Sequence, residues 1–187
     1  MALLSTYYLP GLCVEDHAVD VPLDWRGTSP ALLAGVDDPE PSRLCAASAD
    51  LKPDPAFAGK KIRLFYRTVC LPQNVGRDLP AIVYLQGGPG GAGPRVLDAQ
   101  TDGWLAEAVK YFRVVLPDQR GTGRSSAVDG HRMDQLRKEA LACGADPARL
   151  QANYLKRFLA DSIVRDFEYL RLTEFGGARW VTLGQSY

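Results

Sequence analysis

The chain has 187 residues, of which 46% are hydrophobic and 24% are charged, and its formal net charge is zero. This composition suits one soluble globular domain, or a large part of one, with enough apolar residues to form a core. The balanced charge argues against nucleic acids and anionic membranes as partners, and no apolar run approaches the roughly 18 residues of a membrane span.

The amino terminus and the cysteines both favour a cytoplasmic protein. The opening stretch MALLSTYYLPGLCVEDH lacks the basic region, the apolar region and the cleavage site of a secretory signal peptide. The cysteines are widely spaced and form no C-x-x-C pair; they are Cys13, Cys45, Cys70 and Cys143. We therefore expect reduced thiols that fill apolar space, and no metal and no cofactor. The spacing leaves a disulfide open.

Two extended segments are predicted in the first part of the chain, at residues 8–23 and 60–71. The second alternates, with Ile62, Leu64, Tyr66 and Thr68 on one face. Such alternation is typical of an antiparallel edge strand. Residues 26–58 are rich in Pro, Ala, Asp and Ser without periodicity, which indicates a long surface loop with a short helix near 31–34 or 41–47.

From residue 79 onward, short apolar runs alternate with helical patterns. Strands are predicted at 79–85, 112–118 and 179–185, and helices at about 95–110 and 150–174. The second helix carries an apolar stripe made of Leu155, Leu159, Ile163, Phe167 and Leu170. The alternation predicts an α/β fold: a mainly parallel sheet with helices on both faces and antiparallel strands at its N-terminal edge. In such sheets the active site forms at the carboxyl ends of the strands.

The last predicted strand runs directly into Gly184-Gln185-Ser186-Tyr187. A serine hydroxyl is a weak nucleophile and must be presented to a base on an exposed, tight turn. A strand followed by G-x-S-x matches four of the five positions of a nucleophile elbow, in which a strained turn lifts the serine above the sheet. We therefore predict that Ser186 is a nucleophile and that the Tyr187 amide is one oxyanion donor. A chance match to this short pattern is the alternative.

The strand at 79–85 ends in a glycine-rich loop, QGGPGG. In serine hydrolases with this arrangement, the loop after the third strand supplies the second oxyanion donor, and we assign that role to the Gly88 amide. Residues 88–93, GPGGAG, also match the dinucleotide-binding pattern. However, Pro94 and Arg95 follow where a helix should begin, and the lysine of a Walker A loop is absent, so nucleotide binding is disfavoured.

The strand at 112–118 ends in a third loop, DQRGTGRSS. Asp118 could be the acid of a catalytic triad, or it could brace the loop together with Arg120. We favour the bracing role, because in this architecture the triad acid follows the serine in the chain.

The motifs YLQGGPGG, VLPDQRGTGRS and GQSY, in this order, together resemble the prolyl aminopeptidases (proline iminopeptidases), which are serine peptidases with the α/β-hydrolase fold. The likeness is to the larger subclass, in which Gln precedes GGPG. The stretches PGLCVEDHAVDVPLDW and LADSIVRDFEYLR extend it along nearly the whole chain. The resemblance implies that Ser186 is the nucleophile, with oxyanion amides from Gly88 and Tyr187. It also implies release of an N-terminal proline, or a similar residue, from a peptide with a free N-terminus through an acyl-enzyme and without metal.

In that family the triad acid and histidine follow the serine, whereas His17 and His131 both precede Ser186. We expect both histidines to be surface residues rather than bases. Residues 1–187 are therefore predicted to be an incomplete α/β-hydrolase core domain, truncated at the elbow, without the cap region and the C-terminal part. The isolated polypeptide is expected to be inactive, and the open apolar strand at 179–185 is expected to make it poorly stable.

Two alternatives stay open. The protein could be another peptidase or an esterase of the same fold, because the resemblance places substrate choice mostly in the cap. Dehalogenase and epoxide-hydrolase chemistry is disfavoured, because those enzymes place Asp where Ser186 stands. The chain could instead be a non-catalytic half-fold interaction module, which predicts a cooperatively folded monomer or a dimer with strand 179–185 covered by its partner.

Overall fold

The computed structural model describes residues 2–28, 52–88, 90–100 and 103–186. It contains six strands: β1 (Ala2–Leu9), β2 (Leu12–Pro22), β3 (Lys61–Cys70), β4 (Ala81–Leu85), β5 (Arg113–Asp118) and β6 (Val181–Gly184). Its α-helices are α1 (Gly103–Ala108), α2 (Gly130–Ala142), α3 (Pro147–Leu155) and α4 (Ala160–Glu174). Short 3-10 turns lie at Pro72–Asn74 and Lys156–Phe158.

The strands form one mixed sheet in the order β1-β2-β3-β5-β4-β6. Strand β4 pairs in parallel with β5 and β6, whereas β1, β2, β3 and β5 pair with one another in antiparallel fashion. The antiparallel strands at the N-terminal edge are thus confirmed. The prediction of a mainly parallel sheet was wrong for the described part of the chain, because only β5, β4 and β6 run in parallel.

Part of this difference comes from β1, which the sequence did not reveal. The segment predicted as one extended run at 8–23 is divided by a turn at Pro10 and Gly11, where Gly11 has a φ of +75°. Residues before the turn form an edge strand in which most side chains are exposed. A strand that buries neither face carries no alternation signal, so its sequence resembles that of a loop.

Strand β3 is central, not at an edge. It lies between β2 and β5, and most of its residues are buried. The edge prediction rested on the alternation along residues 60–71, in which Arg67 belongs to the second face. In the structure, however, Arg67 Nε donates to the buried carboxylate of Asp16 at 2.8 Å, so the charge is neutralised inside the protein.

The helices cover both faces of the sheet, as expected. One core joins the sheet residues Val21, Tyr66, Val83 and Val115 to Leu136 of α2, Tyr154 of α3 and Leu170 of α4. The other core joins Val14, Val69, Ile82 and Val114 to Leu105 of α1. Because the two sets alternate along the strands, they belong to opposite faces.

The helix predicted at 150–174 is two helices. Leu159 has an extended backbone, with a ψ of 166°, and its side chain is 57% exposed, which separates α3 from α4. Between them Arg157 turns inward and pairs with Asp24 and Asp54. The predicted apolar stripe is therefore buried at Ile163, Phe167 and Leu170, whereas Leu155 and Leu159 are exposed.

The short helices near 31–34 and 41–47 lie outside the described residues. Cys13, Cys70 and Cys143 are free thiols, whereas Cys45 falls in the part of the chain that is not described. None of the helices in the described ranges has the length and apolar character of a bilayer span.

Candidate active site

Three loops leave the sheet at the carboxyl ends of β4, β5 and β6. Because these strands are parallel and adjacent, the three loops lie at one edge of the sheet, where ligand sites of parallel sheets form. The loops are the glycine-rich QGGPGG, the DQRGTGRSS stretch and the turn that carries Ser186. The sequence prediction that these segments meet is confirmed by the strand order.

Ser186 has a left-handed backbone, with a φ of +57°. Among the residues that the structure describes, it is the only non-glycine with a positive φ. Such a conformation is uncommon for a residue with a side chain, costs about 1–3 kcal/mol and clusters at functional sites. Ser186 is also exposed. The turn after β6 therefore has the strain and the accessibility that a nucleophile elbow requires.

The glycine-rich loop contacts this turn through its backbone. The Gly88 amide donates to the backbone carbonyl of Ser186, with an N···O distance of 3.3 Å. The predicted oxyanion donor is therefore next to the predicted nucleophile, and it is occupied by the serine's own carbonyl in this structure. The second predicted donor, the Tyr187 amide, lies outside the described residues.

Gly87 is the closest point of approach between the two loops. A Cβ atom on this residue would lie 1.8 Å from the backbone carbonyl oxygen of Gln185 and 2.7 Å from Ser186. Both neighbouring groups are backbone, so no side-chain rotation can relieve the overlap. The first glycine of QGGPGG is thus needed for the elbow to pack against the loop.

We expect Gly87→Ala to lower the free energy of unfolding by about 1–3 kcal/mol, the range typical of overpacked sites. The matched control is Gly91→Ala in the same loop, where the new Cβ would meet only the flexible Gln86 side chain, at 3.5 Å. Urea unfolding should show a clear loss for Gly87→Ala and almost none for the control. Equal stabilities of the two variants would contradict the close approach.

Two polar side chains that the sequence did not single out hold the loops in place. The Tyr84 hydroxyl donates to Oε1 of Gln185 at 2.5 Å, and its ring stacks on Trp104 with 5.0 Å between ring centroids. Gln119 Nε2 donates to the Gln86 carbonyl at 2.9 Å. Tyr84 is the one residue of β4 (AIVYL) that carries a polar group. A single hydroxyl in an otherwise apolar strand was the sequence signal that could have identified this residue.

Asp118 joins two of the loops and does not act as a free carboxylate. It is buried and accepts hydrogen bonds from the backbone amides of Gly93 and Arg124, each at 2.7 Å. A Cβ on Gly123 would lie 2.1 Å from its Oδ2, so the third loop folds tightly around it. These contacts favour the bracing role for Asp118 over the role of triad acid.

Arg120 anchors the third loop in the protein interior. Its guanidinium pairs with the Asp166 carboxylate of α4 through Nε at 2.6 Å and Nη2 at 2.5 Å, and both side chains are 0% exposed. It also donates to the carbonyls of Pro22, Leu23 and Arg157, while Trp25 Nε1 donates to Asp166 at 2.8 Å. Arg120 therefore braces the loop, as expected, but through a helix whose role the sequence did not show.

The expectation that His17 is a surface residue was wrong. It is buried, stacks on Tyr66 with 4.8 Å between centroids, and has Nε2 3.4 Å from Thr68 Oγ1. Burial lowers the pKa of His17, although Glu15 opposes the shift, so the ring is neutral at pH 7. Strand β2 lies four strands from β6, about 19 Å across the sheet, so His17 does not reach Ser186.

The other histidine, His131, is exposed on α2 as expected, with its Nε2 2.9 Å from Gln135. Neither histidine therefore shows a hydrogen bond to Ser186. In the described ranges, no group of three or more His, Cys, Asp or Glu residues is placed to hold a metal ion.

Comparison with curated proteins identifies relatives along almost the entire chain. It is 35% identical over 181 residues to a proline iminopeptidase of Aeromonas sobria, a match that covers 97% of this chain and 33% of the relative. It is 39% identical over 112 residues to the proline iminopeptidase aneH of Aspergillus aculeatus, covering 59% of this chain and 22% of that protein. The chain thus spans a third or less of the length of these relatives. No protein-family model matches it.

Proposed function

Because this chain is a homologue of proline iminopeptidases over nearly its whole length, we propose that it is the front part of a serine exopeptidase with the α/β-hydrolase fold. The full protein would release an N-terminal proline, or a similar residue, from peptides. The observation that carries the proposal is the left-handed, exposed Ser186 beside the glycine-rich loop, at the carboxyl end of β6.

In the proposed reaction, Ser186 Oγ attacks the carbonyl carbon of the N-terminal residue while a base accepts its proton. The negative charge that develops on the carbonyl oxygen is stabilised by the amides of Gly88 and Tyr187. For this the Gly88 N–H must exchange its bond to the Ser186 carbonyl for one to the substrate. The protonated base then donates to the leaving amine, and water hydrolyses the acyl-enzyme.

We place the base and the triad acid in the part of the longer relatives that this chain does not cover. His17 is buried four strands away from β6, and Asp118 is engaged by two loop amides. Neither residue therefore acts as the base or the triad acid in the proposed reaction. On this proposal the 187-residue polypeptide alone lacks a proton acceptor and gives no turnover.

The test is hydrolysis of aminoacyl arylamides by the full-length protein. We expect proline arylamide to be cleaved with a kcat/KM at least about tenfold above those of alanine and leucine arylamides, because one mismatched group in a pocket typically changes the rate 10- to 200-fold. The polypeptide of residues 1–187 should show no turnover. Cleavage of simple esters alone would favour an esterase of the same fold. Turnover by the short polypeptide would contradict the placement of the base.

A half-fold interaction module is the second candidate, and the position of β6 favours it. In the described part of the chain, β6 is an edge strand that pairs only with β4, and Val181 is 46% exposed. Open edges of this kind pair readily with other strands. A cooperative melt together with a single sedimenting species for residues 1–187 would support the module; aggregation would support the enzyme fragment.

A further inference from the structure

A small cavity lies beside the glycine-rich loop, at the same edge of the sheet as Ser186. Its volume is about 150 Å³, and its walls come from β3, from the loop after β4 and from the loop after β5. The side chains and glycine that define it are Phe65, Arg67, Gly93, Arg95, Asp118 and Arg124. The reaction proposed above uses none of these residues.

The cavity carries a surplus of positive charge. Asp16 shares its carboxylate between two of the arginines, accepting from Arg67 Nε at 2.8 Å and from Arg124 Nη1 at 2.5 Å. Although burial raises the pKa of Asp16, these two guanidinium groups hold it below its usual value, so Asp16 is charged at neutral pH. Asp118 directs its oxygens to backbone amides of the two loops. Three arginines thus face two aspartates.

Arg95 is the arginine whose charge is not balanced. It is exposed, and within the described ranges it forms no ion pair. Arg124 is half exposed, and its guanidinium lies 4.2 Å from the centroid of the Phe65 ring, which fixes its position on the cavity wall. An arginine presented beside a second, immobilised arginine matches the planar, two-oxygen geometry of a carboxylate.

The distance from Ser186 fits a peptide chain. Strand β5 lies two strands from β6 and β3 lies three strands away, which corresponds to about 10 and 14 Å across the sheet. An extended peptide advances about 3.3–3.6 Å per residue. A carboxylate three or four residues beyond the scissile bond would therefore reach the cavity.

We propose that this cavity binds the C-terminal carboxylate of short peptide substrates and that Arg95 is the residue that contacts it. The inference rests on the proposed function and makes it more specific. The substrates it names are tetrapeptides and pentapeptides with a free C-terminus, since longer chains would carry their carboxylate past the cavity.

The test compares the tetrapeptide Pro-Gly-Gly-Gly with its C-terminal amide, using the full-length protein. We expect the free acid to have a kcat/KM about tenfold above that of the amide. In Arg95→Gln this acid-to-amide ratio should fall to about one, chiefly through a higher KM for the acid. The matched control is Arg149→Gln on α3, which removes an exposed arginine that lines no part of the cavity and should keep the wild-type ratio.

A ratio near one in the wild type, or an unchanged ratio in Arg95→Gln, would overturn the inference even if overall rates fall. Failure of the proposed function is recognised separately, because neither peptide nor proline arylamide would then be cleaved. In that case calorimetry on the Ser186→Ala protein decides the inference without turnover. If the acid binds more tightly than the amide, and this difference disappears when Arg95→Gln is added, the inference is supported. Equal binding of acid and amide overturns the inference.

Discussion

Replacing Ser186 with alanine is expected to lower kcat of the full-length protein by about a million-fold, the loss seen when a catalytic serine is removed from a triad. The hydroxyl at the left-handed turn is the atom that would form the acyl-enzyme, and the neighbouring Gln185 side chain cannot replace it as a nucleophile. The measurement is proline arylamide hydrolysis at saturating substrate. Thermal melting should be nearly unchanged, because Ser186 is exposed.

A matched control for this variant is Ser5→Ala, which removes an exposed hydroxyl from the edge strand β1. The control should retain wild-type turnover. If Ser186→Ala kept more than about 0.1% of the wild-type kcat, the nucleophile would have to lie elsewhere, because loss of oxyanion stabilisation alone can account for about 100- to 1000-fold.

The second large effect is on stability. Asp166→Ala should lower the free energy of unfolding by about 3–5 kcal/mol, the cost typical of removing one partner from a buried ion pair. The Arg120 guanidinium would stay in the interior without its counter-charge, and Trp25 Nε1 would lose its acceptor. Because a domain is stabilised by only about 5–15 kcal/mol in total, this loss should be evident in urea unfolding.

The same helix provides the control. Asp161→Ala removes the carboxylate that pairs with Arg165 at 2.7 Å, but Asp161 is 60% exposed. Exposed pairs one turn apart on a helix contribute about 0.3–0.5 kcal/mol. Similar losses for Asp161→Ala and Asp166→Ala would show that the buried pair does not hold the third loop in place.

The sheet edge that carries the site could be predicted because its signals are local. Continuous apolar runs bounded by glycines marked the strands at 79–85, 112–118 and 179–185 within two residues of β4, β5 and β6. The strain at Ser186 followed from the same pattern, since a strand that turns at G-x-S forces the serine into an unusual backbone conformation.

The parts that could not be predicted depend on residues distant in sequence. Trp25, Arg120 and Asp166 meet although the outer two are separated by 141 positions, and no periodicity links them. Arg67 lies mostly inside the protein because Asp16, a partner on the neighbouring strand, neutralises its charge. His17 was expected at the surface, but it is buried because it stacks on Tyr66. That contact exists only once β2 and β3 have paired, so the local sequence does not show it.

The most direct test of the account is to find where a fluorophosphonate becomes attached to the full-length protein. Such reagents form a stable adduct with an activated serine, and peptide mass spectrometry locates the modified residue. The account predicts a single adduct on Ser186 that is absent from the Ser186→Ala variant. An adduct on another serine, or an unmodified Ser186 in protein that cleaves proline arylamide, would contradict it.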